Sequence, residues 1–190
     1  VSALDAKSDA LAALAAAGVK TDALQVVADA PAWYHPGRSG RLKLGPNALA
    51  AFGELHPAIL KAFDIEAPVV AFELDLDALP KPRTKAGRAR PPLETLPYPP
   101  VDRDFAFVVS KDVPAEDVLK AVRAAEKRLV RELRLFDVYE GPGVPEGKRS
   151  LAVAVRLQSP ERTLAEAEIE QVAARIVAAV EKATGASLRR

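Results

Sequence analysis

The sequence predicts an α+β protein made of two units, an incomplete α+β piece over residues 1–79 and an antiparallel sandwich over residues 97–190. In the second unit, segments with strand and helix periodicity follow each other in the order β-α-β-β-α-β. Between the units, residues 80–100 hold seven prolines and a basic run. Such a segment has too little apolar surface to fold by itself, so we predict a linker over residues 80–96.

The first unit opens with an Ala-rich helix that ends near Ala17, because Gly18 stands where a C-terminal cap belongs. The string PGRSG at residues 36–40 is typical of a turn. A short helix is expected from Pro57, which suits the first helical position, to Phe63. Strands are predicted at residues 24–28, 48–55 and 69–76.

The second unit contains two predicted helices. The first covers about residues 114–127, and the second follows a capping box formed by Thr163 and Glu166 and ends at Gly185. Three long strands are predicted at residues 104–110, 131–139 and 150–157, and a short final strand at residues 186–188.

Side-chain parity divides the strand at residues 150–157 into two faces. Its apolar residues should face the helices, which leaves the other side of the sheet open to a partner: the predicted open positions are Ser150, Ala152, Ala154 and Arg156. A regular strand cannot direct Phe136 and Tyr139 to one face, and we predict that Phe136 lies in the core. This arrangement is a ferredoxin-like split βαβ sandwich.

Composition excludes several classes of function. The chain contains no cysteine, so it has no disulfide, thiolate metal ligand or cysteine nucleophile. Apolar runs fall short of the ~20 residues of a membrane span, and we expect a soluble, cytoplasmic chain without a membrane partner. The chain starts at Val1 rather than at a Met and has no signal peptide, and the missing Met predicts a piece of a longer protein. A net charge of +1 gives no overall attraction to a polyanion.

Candidate catalytic and metal-binding groups are few. His35, His56 and Glu54 lack the spacing of a helix-borne zinc motif, and His56 directly before Pro57 is typical of the start of a helix. The sequence also lacks a Gly-rich phosphate loop and a serine nucleophile elbow. We therefore predict no catalytic residue, no metal site and no cofactor bound by this chain.

Four motifs of the second unit match one family in order and spacing. They are PVDRDF at residues 100–105, LRLFDVYEG at 133–141, GKRSL at 147–151 and RTL at 162–164. Together they resemble the ferredoxin-fold anticodon-binding domain of bacterial phenylalanyl-tRNA synthetase beta subunits. The first unit is similar to the catalytic-like domain of the same subunits, through YHPGRS at residues 34–39, FGELHP at 52–57 and FELDL at 72–76.

The resemblance implies a role in ATP-dependent charging of phenylalanine onto its tRNA by an (alpha-beta)2 heterotetramer. ATP and Mg2+ would belong to that holoenzyme, and this fragment alone is expected to be inactive. It would bind the anticodon region of tRNA(Phe) and contact the catalytic alpha subunit. An incomplete sheet over residues 1–79 would leave an exposed edge and favour self-association.

Single-stranded RNA is read by stacking and by hydrogen bonds to base edges, so aromatic and cationic residues near the open sheet side are the RNA-binding candidates. These are Arg103, Arg134, Tyr139, Lys148, Arg149, Arg156 and Arg190. The linker cations either contact phosphates or simply belong to a tether; they are Lys81, Arg83, Lys85, Arg88 and Arg90.

Two other functions remain open at this point. A protein-interaction or assembly module of the same fold, without RNA binding, is the alternative. A stand-alone ferredoxin-fold enzyme such as an acyl phosphatase is disfavoured, because Lys111 and Asp112 stand where an anion-binding loop needs an arginine.

Overall fold

A computed structural model describes residues 1–80 and 96–189. The five linker cations and Arg190 therefore lie outside the described residues. The chain divides into two compact units, Val1–Arg90 and Pro91–Arg190. Each is described by itself below.

Within residues 1–80, an antiparallel sheet has the strand order β1-β2-β3-β4. The strands are β1 Gln25–Val27, β2 Tyr34–Leu44, β3 Asn47–Leu55 and β4 Val70–Leu74, and the helices are α1 Ala3–Ala16 and α2 Pro57–Ala62. Small residues of α1, Ala6 and Ala10, are buried beside Leu14 and pack with Leu42 and Leu49 of the sheet. Alanine lets the helix lie close to the strands, and both predicted helices are confirmed within a residue or two.

The turn predicted at residues 36–40 is wrong, because this segment continues β2. The pairing of β2 with β3 shifts register between Tyr34 and Ser39, and this irregularity accommodates the proline and glycines without ending the strand. Gly53 of β3 lies opposite, with a φ of 149°. A Cβ at Gly53 would stand 2.4 Å from the Ser39 Cβ, so only glycine permits the close approach of the two strands.

The second unit has the predicted order β-α-β-β-α-β, and its antiparallel sheet has the strand order β6-β7-β5-β8. The elements are β5 Val101–Ser110, α3 Ala115–Ala125, β6 Val130–Tyr139, β7 Lys148–Leu157, α4 Glu166–Thr184 and β8 Ser187–Leu188. The predicted ferredoxin-like fold is confirmed.

One side of this sheet and the two helices enclose the core. Phe107 and Leu151 are cross-strand partners on this side, and both are fully buried. They belong to one apolar cluster with Val118 and Val122 of α3 and with Ile176 of α4. The parity predicted for β7 is therefore confirmed: its apolar residues face the helices and its small and polar residues occupy the other side.

The capping box predicted for α4 is wrong by two residues. The N-cap is Ala165, whose N–H donates to the Glu168 carboxylate at 3.1 Å. Arg162 forms an ion pair with the same carboxylate, with Nη2 2.6 Å from Oε1. These donors lower the pKa of Glu168 to about 2. A carboxylate near the helix N-terminus also complements the helix dipole.

Candidate nucleic-acid interface

We define the open face as the side of the second unit's sheet opposite α3 and α4. Its floor is made of small residues, because Ala106 of β5 pairs with Ala152 of β7, and Ala154 pairs with Asp104. Ser150 also belongs to this face by register. Small side chains leave room above the sheet for a planar group to approach the backbone.

A β-bulge in β6 determines which side chains reach the open face. Leu135 pairs with Val153 and Asp137 pairs with Ala152, so the extra residue in β6 is Phe136. Phe136 is 49% exposed, and its predicted place in the core is wrong. The bulge changes the parity of the strand.

The bulge brings two predicted candidates to the same face. Arg134 pairs with Ala154, and Tyr139 pairs with Ser150, so both lie on the open face although five positions separate them. In a regular strand, an odd separation would direct them to opposite faces. Asp137 also lies on the open face. Simple alternation along the strand would place Asp137 and Tyr139 on the face opposite to Arg134.

Tyr139 is held at the end of β6 by its neighbours. Its hydroxyl donates to the Pro142 carbonyl at 3.2 Å. A Cβ at Gly141 would stand 2.6 Å from that hydroxyl oxygen, so glycine is needed for this packing. The Arg189 guanidinium lies 5.1 Å from the centre of the ring, which is a cation–π geometry. The ring remains 36% exposed.

Arg156 lies at the opposite end of the open face, where carboxylates surround it. Its guanidinium donates two hydrogen bonds to Asp102, at 2.8 and 3.0 Å, and a third to Glu132 at 3.3 Å. The hydrogen bonds from Arg156 lower the pKa of Asp102, and Asp102 in turn raises that of Arg156. Because Asp104 also lies on this face, this end of the sheet carries no excess of positive charge.

Two candidate arginines do not lie on the open face. Arg103 pairs with the buried Val155, and its guanidinium forms an ion pair of 2.9 Å with Glu166 at the start of α4. The prediction that Arg103 lies near the open face is therefore wrong, because its side chain is on the helix side of the sheet. Arg149 pairs with the buried Val109 and donates to the Val113 carbonyl at 2.8 Å. These bonds hold the starts of α4 and α3 against the sheet.

Lys148 is exposed and has the parity of the open face, at the same end as Tyr139. Sequence parity could have placed it there, because β7 pairs with β5 without a bulge. Arg190 lies outside the described residues. Its neighbour Arg189 contacts Tyr139 at the open face.

In the first unit, Glu73 joins two aromatic side chains. The indole N–H of Trp33 donates to Glu73 Oε1 at 2.6 Å, and the Tyr34 hydroxyl donates to the same oxygen at 3.1 Å. Burial, together with the Glu73 charge, raises the pKa of Tyr34. His35 and His56 accept backbone N–H groups through Nδ1, so the predicted helix start at His56 is confirmed. No motif marks Glu73 for this role, because the two aromatic residues precede it by about 40 positions.

Residues 1–80 and 96–189 contain neither a metal-binding cluster nor a membrane span. In this part of the chain no three His, Cys, Asp or Glu side chains come together as a metal site. No helix there is long and apolar enough to cross a membrane.

Each of the two units matches a known protein-family model. Residues 97–189 match the model of the ferredoxin-fold anticodon binding domain. Residues 1–76 match the model of the phenylalanyl tRNA synthetase beta chain CLM domain.

Similar proteins match nearly the whole chain. A phenylalanine–tRNA ligase beta subunit from Rhodospirillum rubrum is 55% identical over 97% of the chain. The beta subunit from Paramagnetospirillum magneticum is 52% identical over 100% of it, and that from Bradyrhizobium diazoefficiens is 49% identical over 97%. The chain spans 23 to 24% of the length of these relatives.

Proposed function

The chain belongs to the family of phenylalanine–tRNA ligase beta subunits, and we propose that its second unit binds the anticodon region of tRNA(Phe) through the open face. The observation that carries this proposal is the placement of Tyr139, Asp137 and Arg134 together on a floor of alanines. Such a surface suits an unstacked base, since single-stranded RNA is recognised by aromatic stacking and by contacts to base edges.

Each of two side chains has a distinct role in this proposal. Tyr139 supplies a stacking surface, which contributes about 1–3 kcal/mol per base in proteins that bind single strands. Asp137 supplies a carboxylate with acceptor oxygens only. It therefore favours a base edge that presents donors, such as the N1–H and N2–H groups of guanine. The two side chains are two residues apart and share a face, and the bulge at Phe136 makes it the same face that holds Arg134.

The charges of the open face support recognition of bases rather than of phosphates alone. Among the described residues, register and contacts place four cations and four carboxylates there: Arg134, Lys148, Arg156 and Arg189 with Asp102, Asp104, Glu132 and Asp137. A phosphate would be repelled by the carboxylates at the Arg156 end. At the Tyr139 end, Lys148 can receive the backbone beside a stacked base.

For the first unit we propose contact with a catalytic alpha subunit, in an (alpha-beta)2 assembly that charges tRNA(Phe) in the cytoplasm. The match to the CLM domain of synthetase beta chains supports this. ATP and Mg2+ would act in the whole assembly. The described residues do not form a cluster that fits a metal ion, so we assign no step of the aminoacylation chemistry to them.

Binding of the purified chain to tRNA(Phe) and to an unrelated tRNA, at two salt concentrations, tests the proposal. The matched variants are Tyr139→Ala and Phe136→Ala, which each remove an exposed aromatic ring from β6. We expect preferential binding of tRNA(Phe), which Tyr139→Ala weakens by about 1–3 kcal/mol while Phe136→Ala leaves it unchanged. If the chain binds neither tRNA, the proposal that its open face binds RNA fails.

A further inference from the structure

Arg189 reaches Tyr139 from the other edge of the sheet. The Arg189 backbone N–H donates to the Ala106 carbonyl at 2.7 Å, which continues the pairing of β8 with β5 by one residue. Tyr139 is in β6, at the opposite edge. The Arg189 and Tyr139 side chains therefore reach towards each other above β5 and β7, where the floor residues Ala106 and Ala152 are small.

This end of the open face is covered in the chain as it stands. Val108 and Ser150 belong to the open face by register, yet they are only 8% and 3% exposed. The ring of Tyr139 and the guanidinium of Arg189 meet above this end. A base that stacks on the covered side of the ring must therefore displace the guanidinium or enter beside it.

We propose that Arg189 is the second wall of the base site, so that an unpaired RNA base stacks between the Tyr139 ring and the Arg189 guanidinium. This inference rests on the proposed function and adds a specificity-determining residue to it. The planar guanidinium stacks on aromatic faces, including nucleobases, whereas the compact ammonium of lysine does not.

Insertion of a base requires a movement of the guanidinium that can be worked out from the distances. A base between two stacked planes needs about 3.5 Å on each side, or about 7 Å in total. The guanidinium carbon of Arg189 now lies 5.1 Å from the centre of the Tyr139 ring, so the guanidinium has to move outward by about 2 Å. Arg189 is exposed, and a Cβ at Gly143 would lie 3.5 Å from its Nη2.

Two other roles for Arg189 predict different results. A guanidinium that only covers the ring would compete with the base, and its removal would strengthen RNA binding. A guanidinium that contacts a phosphate would act independently of the base. Its removal would reduce the slope of log K against log salt concentration by nearly one. A stacking wall acts only when both the base and Tyr139 are present.

The test measures binding of the 190-residue chain to the anticodon stem-loop RNA of tRNA(Phe) and to three versions, each with one anticodon nucleotide made abasic. Variants are Arg189→Ala, Arg189→Lys, Tyr139→Ala and the double Ala variant. Lys182→Ala is the charge-matched control, because Lys182 is exposed on α4, on the other side of the sheet. Circular dichroism checks that each variant is folded.

We expect Arg189→Ala and Arg189→Lys to weaken binding by about two- to fivefold with the salt dependence nearly unchanged, and Lys182→Ala to change it less. The loss should disappear in the Tyr139→Ala background and with one of the three abasic RNAs. Tighter binding by Arg189→Ala, or a loss that persists with every abasic RNA, would overturn the inference while leaving the proposed function intact. If the wild-type chain fails to bind the stem-loop, the proposed function itself fails, and this inference with it.

Discussion

Gly141→Ala should lower the affinity of the second unit for RNA while leaving its free energy of unfolding nearly unchanged. A Cβ at this position would lie 2.6 Å from the Tyr139 hydroxyl oxygen and 2.7 Å from Cζ. To restore an ordinary contact of 3.4 Å, the tip of the ring must move by about 0.8 Å. Because the ring is 36% exposed, it can move outward without disturbing the core.

The expected change in the free energy of unfolding is small. Moving the ring breaks the hydrogen bond from Tyr139 to Pro142, which contributes about 1 kcal/mol at most for an exposed pair. The φ of Gly141 is not positive, so alanine also gains about 0.4–1 kcal/mol through the unfolded state. The two contributions nearly cancel, and we expect a change below about 1 kcal/mol.

The expected change in RNA binding is larger, because a displaced ring no longer stacks in register with a base above the alanine floor. We expect a loss of at least about 1 kcal/mol, or fivefold in Kd, measured by titration with tRNA(Phe). Adding Tyr139→Ala to Gly141→Ala should give no further loss beyond Tyr139→Ala alone.

Gly147→Ala is the matched control for this prediction. Gly147 has a φ of 76°, and a Cβ at this position would meet no atom within 4 Å, so alanine there introduces backbone strain of about 1–2 kcal/mol without a clash. We expect it to lower stability and leave RNA affinity unchanged. Wild-type affinity in Gly141→Ala, with the fold intact, would refute the reasoning that the position of Tyr139 determines binding.

Two further predictions concern stability. The pKa of Glu168 is lowered to about 2 by Arg162 and by the N–H of Ala165, so its contribution is complete above the unfolded pKa of about 4.3 and is lost as the pH falls towards 2. Glu168→Gln should reduce the loss of stability between about pH 4.3 and pH 2, measured as the fall in unfolding temperature from pH 7 to pH 2. The same fall in wild type and variant would contradict a stabilising role of the ionised Glu168. Tyr34→Phe should cost about 1 kcal/mol, because the buried hydroxyl loses its bond to Glu73; denaturant unfolding measures this, and a neutral effect would show that the bond contributes nothing.

The sequence was sufficient for the order of the elements and for the faces of β7. Leu151, Val153 and Val155 alternate with small residues along a strand that pairs with β5 in unbroken register, so parity alone separates core from open face. The same rule failed in β6, where Phe136 is inserted as an extra residue. A bulge leaves no reliable mark in apolar periodicity, since its position depends on how the neighbouring strand pairs.

Arg103 shows a second limit of reading residues singly. It is a cation within a family motif, next to the open-face residue Asp102, and yet register directs it to the helix side, where Glu166 pairs with it. Arg189 shows the converse. Its contact with Tyr139 joins strands at opposite edges of the sheet, so it depends on the strand order β6-β7-β5-β8 as well as on the residues themselves.

If the open face binds RNA as we propose, its distribution of charge favours recognition of a base over attraction of the RNA backbone. At one end, Asp102 and Glu132 engage Arg156, so this arginine brings little positive potential to a passing phosphate. At the other end, Arg189 lies on the Tyr139 ring rather than on a carboxylate, and its charge stays available to a stacked base. A face with this pattern is more sensitive to the identity of a base than to the number of phosphates near it, because carboxylates and stacking surfaces discriminate between base edges, whereas an unpaired cationic surface would bind any polyanion.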